Sequence, residues 1–208
     1  MKNISIFLCL AIIAVACNGT TVPEKTEQQP TTTGELKPEL KDPTVETLWE
    51  TDTVLTTNES VFYQEDDQLL YVSNIAGKPT DKDGTGWISK VNYDGSIQEL
   101  KWADGLDAPK GMAIHNGMLY VTNIDELVAI DINDPQKRKA YPVKGAQFLN
   151  DVAALNDNIY FSDMKTGKLH VLHNGEVKTI RNNMTNINGL AAHDGNLYAL
   201  DDEGLHIL

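Results

Sequence analysis

From residue 45 onward, short apolar runs alternate with polar turns, and the runs recur in groups. Four of them align on a tyrosine: QLLYVSN (68–74), GMLYVTN (117–123), DNIYFSD (157–163) and GNLYALD (195–201). The tyrosines, Tyr71, Tyr120, Tyr160 and Tyr198, are separated by 49, 40 and 38 residues. Ahead of each lies another short run: SVFYQ, GMAIH, DVAAL and GLAAH. Behind each lies a third, WISKVNY, LVAIDI, KLHVLH and LHIL, and in three cases a fourth, IQEL, KAYPV and VKTI. No segment carries the 3.6-residue period of a helical repeat. Four short strands per unit at a period near 40 predict an all-β fold, a β-propeller of four-stranded blades. The turns agree, since HNG, NDN, HDG and NYDGS put Asn, Asp and Gly where a hairpin needs positive φ.

About four blades are present, and the last unit stops after its third run. VETLWET (45–51) precedes the first unit and reads as a spare strand. Such a strand can complete the last blade and hide sheet edges. Two readings stay open: four blades closed through this strand, or a piece of a larger ring.

Ahead of the repeats the composition changes. MKNISIFLCLAIIAVACNGT has a lysine, an apolar stretch too short for a comfortable membrane span, and small residues before a cysteine, the pattern of an export signal (1–16). AVAC (14–17) resembles the bacterial lipobox, which implies lipidation at Cys17 and anchoring in the cell envelope, facing periplasm or exterior. Residues 17–44 are rich in Thr, Pro, Glu and Lys, a composition that cannot bury enough surface to order itself. They read as a tether between the anchor and a propeller domain at 45–208. Cys9 falls in the signal and Cys17 carries the lipid, so neither thiol of the two-cysteine chain serves a disulfide or a nucleophile. The formal charge of −13 argues against nucleic-acid binding and suits a cation better than an anion.

Immediately before the inner run of each unit stand Glu59, Lys110, Asn150 and Asn188, equivalent by repeat. The starts of a propeller's inner strands meet at one mouth of its channel, so these four side chains are expected to converge there. Here NESVFYQEDDQLLYVSN resembles the first-blade motif of the regucalcin/gluconolactonase family, a family of six-bladed propellers. LNDVA and INGLAAHDGNLYALD are similar to that family's later inner strands. The resemblance covers residues 45–208, about four of six blades.

The resemblance implies a divalent cation, calcium first, held by Glu59, Asn150 and Asn188 and supporting hydrolysis of sugar lactones or small esters. Asn188 stands where the family has an aspartate, so it can ligate but cannot take a proton. Lys110 stands at a substrate-binding asparagine position, and its ammonium would repel a cation. Asp151 is the nearest candidate base beside Asn188. The competing expectation is a non-catalytic propeller that binds a glycan, peptide or protein at the same mouth. TDKDGTGW (80–87) lacks the closing glutamate of a calcium loop and reads as a surface loop. The histidines show no metal-ligand spacing.

Overall fold

The protein is described here by a computed structural model covering residues 45–208; the signal segment 1–16, Cys17 and the tether to residue 44 lie outside the described residues. Fifteen strands and no helix make up the described chain. The first sheet runs β1 (Asn58–Gln64), β2 (Leu69–Asn74), β3 (Gly86–Asn92) and β4 (Ile97–Leu106). The second runs β5 (Pro109–His115), β6 (Met118–Asn123), β7 (Glu126–Asp131) and β8 (Asp134–Pro142). The third runs β9 (Leu149–Leu155), β10 (Asn158–Asp163), β11 (Lys168–His173) and β12 (Glu176–Arg181). The fourth has three strands, β13 (Leu190–His193), β14 (Asn196–Asp201) and β15 (Gly204–Ile207). Every neighbour pair is antiparallel and sequential, so each sheet is a meander. These are four blades of a β-propeller, the fold that the repeat predicts.

The hairpins turn where the sequence places Asn, Asp and Gly. Asn116 and Gly117 both have positive φ (49° and 74°), as do Asp194 and Gly195 (47° and 77°), the conformation of a two-residue turn matched to strand twist. Residues 80–85 form a surface loop, whereas Gly86 and Trp87, expected to belong to it, are buried at the start of β3. Asp83 accepts hydrogen bonds from the Thr85 amide and hydroxyl, and Lys82 reaches across to Asp125 at 2.6 Å.

The core lies between blades rather than within one. Tyr71, Ile88 and Trp102 of the first blade pack on Met112, Leu119 and Val121 of the second. Ala113 and Leu127 of the second meet Val152, Ile159 and Phe161 of the third. Ala153 and Leu169 of the third meet Leu197 and Ala199 of the fourth. The inner strands β1, β5, β9 and β13 therefore pack in chain order, and no comparable packing links β13 back to β1 among the described residues. Tyr71, Tyr120 and Tyr160 sit in these interfaces as the repeat suggests. Gly111 of β5 is a close-approach position, because a Cβ there would stand 2.6 Å from the Asp151 Cα of the next inner strand.

The segment 45–51 corrects one expectation. It forms no strand and completes no blade. Val45 and Leu48 are almost fully exposed, and Trp49 is partly covered, with its indole against the turn glycine Gly95 beside the first blade.

Interblade packing sets the stability. Leu127→Ala, at a fully buried position, is expected to cost about 2–5 kcal/mol. Ile180→Ala, on the exposed outer strand β12, should change stability by less than about 0.5 kcal/mol. Urea unfolding of the two variants beside the parent chain checks both.

Candidate functional site

Glu59, Lys110 and Asn150 are each the second residue of an inner strand, and Asn188 stands two residues ahead of β13. Each of the first three strands carries a register break there. Asn58 and Ser60 face the consecutive Asn74 and Ser73, so Glu59 is extra. Three residues of β5 and of β9 likewise span two on the partner strand, between Pro109 and Met112 and between Leu149 and Val152. These are β-bulges, which re-aim side chains and interrupt strict alternation.

The bulged backbone is held from behind. Ser73, Thr122 and Ser162, at the ends of the second strands, are fully buried. Thr122 donates its hydroxyl to the Asn150 carbonyl of the next blade. Ser162 accepts from the Asp151 amide at 2.9 Å and donates to the Asn188 carbonyl at 2.8 Å. In the second and third blades the residue after the hydroxyl secures the loop entering the same blade. Asn123 Oδ1 accepts from the Asp107 and Ala108 amides, and the Asp163 carboxylate accepts from those of Gln147 and Phe148. The sequence reading missed these residues, although their signal was in view: a hydroxyl followed by Asn or Asp closes YVSN, YVTN and YFSD.

Lys110 is only 1% exposed. Its Nζ donates to the Ala108 carbonyl at 2.9 Å and stands 4.6 Å from the centre of the Phe148 ring. Burial lowers its pKa to about 8, with the Glu59 charge opposing the drop. Burial also raises the Glu59 carboxyl; Lys110 pulls it back and Asp151 adds to the rise. Glu59, Lys110 and Asp151 thus share one electrostatic neighbourhood. Glu59 stays exposed at the rim, so its desolvation is partial.

Asp151 is committed to the backbone. One carboxylate oxygen accepts from the Val152 amide at 2.9 Å and the other from the Leu190 amide at 2.7 Å, so the side chain ties β9 to β13. Burial raises its pKa, and these two donors oppose the rise. Asn150 is 7% exposed, and its amide makes no side-chain hydrogen bond among the described residues. Asn188 is exposed, with Nδ2 3.9 Å from Met164 Sδ. Below the mouth a cavity of ≈ 400 Å³ touches all four inner strands. Phe62, Met112, Val152 and Leu190 line it, with Asp151 its one ionisable wall residue.

Among the described residues no cluster of three His, Cys, Asp or Glu side chains could hold a metal, so any cation here needs amide oxygens. Glu59, Asn150 and Asn188 fit calcium in donor type, with one carboxylate and two amide carbonyls. The Lys110 ammonium already offsets the Glu59 charge and weakens that fit.

No protein-family model and no curated protein matches the chain. Solved structures do, at the level of fold. A chain of a nidogen/laminin complex superposes with a TM-score of 0.56 at 15% identity, over 70% of this chain and 56% of its own. The computationally designed Ika4 protein gives 0.57 at 12% identity, over 79% and 98%. The PQQ-bound aldose sugar dehydrogenase of Streptomyces coelicolor gives 0.54 at 13% identity, over 69% and 56%. The chain thus spans little more than half of the nidogen/laminin and dehydrogenase chains. Binding, designed and catalytic proteins share this architecture, which defines the class, a β-propeller, and leaves activity to the residues at the mouth.

The buried lysine yields a pH signature. Its folded pKa lies below the usual 10.5, so between pH 8 and 10.5 the unfolded chain binds more protons than the native one. Wild-type stability should therefore gain up to about 3 kcal/mol from Lys110 as pH rises through that window. The difference between wild type and Lys110→Met, followed by denaturant melts from pH 7 to 10, isolates this gain.

Proposed function

We propose that the protein is an exported, lipid-anchored propeller whose channel mouth binds a small, neutral, sugar-like ligand. The observation that carries this reading is the state of the polar groups at the mouth. Lys110 has three N–H donors and gives one to Ala108, while the Asn150 amide and the Glu59 carboxylate are unengaged. Glu59 and Asn150 therefore leave donors and acceptors free beside a cavity whose wall presents polar and apolar surface in similar measure, a composition that suits a polyhydroxylated molecule with an apolar ring face. One ammonium against two carboxylates leaves no excess positive charge to hold an anion.

A second reading, a cation-dependent hydrolase of sugar lactones like the regucalcin/gluconolactonase family, rests on the oxygens of Glu59, Asn150 and Asn188. In that reading calcium would polarise the lactone carbonyl and acidify a bound water. It lacks a free base: Asp151 accepts two backbone hydrogen bonds, and Asn188 cannot take a proton. Binding without hydrolysis is the better account of these residues.

Calorimetric titration with a panel of neutral mono- and disaccharides tests the proposal. A binder should lose about tenfold in affinity in Asn150→Ala, the scale of one lost hydrogen bond. Glu59→Gln should weaken it less, because the amide keeps an acceptor. A panel without a single binder, alongside calcium-stimulated gluconolactone hydrolysis that disappears in Glu59→Gln, would replace this reading with the hydrolase. The anchor has its own test. The wild-type chain should partition with membranes and Cys17→Ser should be released; a wild-type chain that remains soluble and keeps residues 1–16 would exclude lipidation.

A further inference from the structure

The two outer faces of the arc are apolar in the same pattern as its internal interfaces. In the second blade, Met112, Ile114, Leu119 and Val121 pack against the preceding blade, and Val152 and Ile159 do so in the third. The first-blade residues at those registers are Val61, Tyr63, Leu70 and Val72, set by the pairing of Phe62 with Tyr71 as Ala113 pairs with Tyr120. Val61 is 62% exposed, and Tyr63 and the neighbouring Tyr93, 6.0 Å away ring to ring, are exposed with it. A cleft of ≈ 310 Å³ on this face is lined by Val61, Leu70, Val72, Val91 and the indole of Trp49.

The opposite end mirrors it. Tyr120 and Leu127 of the second blade, and Tyr160 and Leu169 of the third, face the following blade. The corresponding surface of the fourth blade carries Tyr198, Leu200, Leu205 and Ile207. Leu205 is 67% exposed and Ile207 64%. A shallow groove of ≈ 220 Å³ between Tyr198, Leu200 and Leu205 marks it. Leu200 stands where the first three blades have the buried hydroxyls of Ser73, Thr122 and Ser162. The polar latch that Thr122 and Ser162 extend to the following blade is replaced by apolar surface.

We propose that the outer face of the fourth blade docks on the outer face of the first blade of a second copy, head to tail. The described chain contains both halves of a blade–blade interface, each left open, and the three internal interfaces show that such halves fit. A second copy supplies the matching half at both ends, so two chains related by a twofold axis satisfy all four faces at once. Trp49 and Leu55 border the first-blade cleft and would lie at the edge of this contact.

The test uses the full chain carrying Cys17→Ser, so that a lipid cannot cause association. Sedimentation over a concentration series should give a dimer. Each chain's net charge of −13 opposes association, so added salt should tighten it. Val61→Lys spoils only the first-blade face and Leu205→Lys only the fourth-blade face. Both positions are exposed, so an unchanged circular dichroism spectrum and a cooperative melt, lowered only by the loss of dimerisation, would certify the fold. Each variant alone should be monomeric. Mixed in equal amounts they should pair, because one intact interface remains between the Val61→Lys chain's fourth blade and the Leu205→Lys chain's first. A parent chain that stays monomeric at all concentrations overturns the proposal. So does dimerisation that survives either single variant, and so does failure of the two variants to complement.

Discussion

A blade has two apolar faces, and neither can be buried by the blade itself. That constraint organises the molecule. A four-stranded meander alternates its side chains, so one set of residues points to each neighbouring blade, and stability comes from interdigitation between sheets. Tyr71 against Met112, Leu127 against Ile159 and Ala153 against Leu197 are three realisations of one contact. The second and third blades satisfy both of their faces. The first and fourth satisfy one each, which is why Val61, Tyr63, Leu205 and Ile207 are left exposed.

The fold was legible because its signals are local. Period-two alternation, a tyrosine on every second strand and Asn-Gly or Asp-Gly turns are properties of a few consecutive residues, and all recur at one spacing. VETLWET misled because its place ahead of the first unit suggested a spare strand; it pairs with no sheet, and Trp49 lies against Gly95 instead. The bulges under Glu59, Lys110 and Asn150 left no local mark. A bulge adds one residue to one strand relative to its partner, and a single sequence shows neither partner nor register until both strands are paired.

The candidate site divides along the same line. Repeat equivalence brought Glu59, Lys110, Asn150 and Asn188 to the same position on their blades, but the state of each group depends on atoms far away in sequence. Asp151 reads as a free carboxylate until the Leu190 amide, 39 residues on, is found at 2.7 Å. Lys110 reads as a fully charged ammonium at the mouth. Burial against Phe148 turns it into an ammonium near the midpoint of its titration at mildly alkaline pH. Sequence places such groups; only packing assigns their charge.

The mouth also explains how one backbone carries four different residues at equivalent places. The hydroxyls of Thr122 and Ser162 hold the carbonyls of Asn150 and Asn188, not their side chains, and the Asn123 and Asp163 side chains hold backbone amides of the entering loops. Position is fixed by main-chain groups that every residue type possesses. A carboxylate, an ammonium and two amides can therefore occupy the four places without disturbing the inner strands. At Asn150 and Asn188 the frame is thus independent of the side chain it carries, and the residue type at each place is free to set the local charge, as the buried ammonium of Lys110 does beside Glu59.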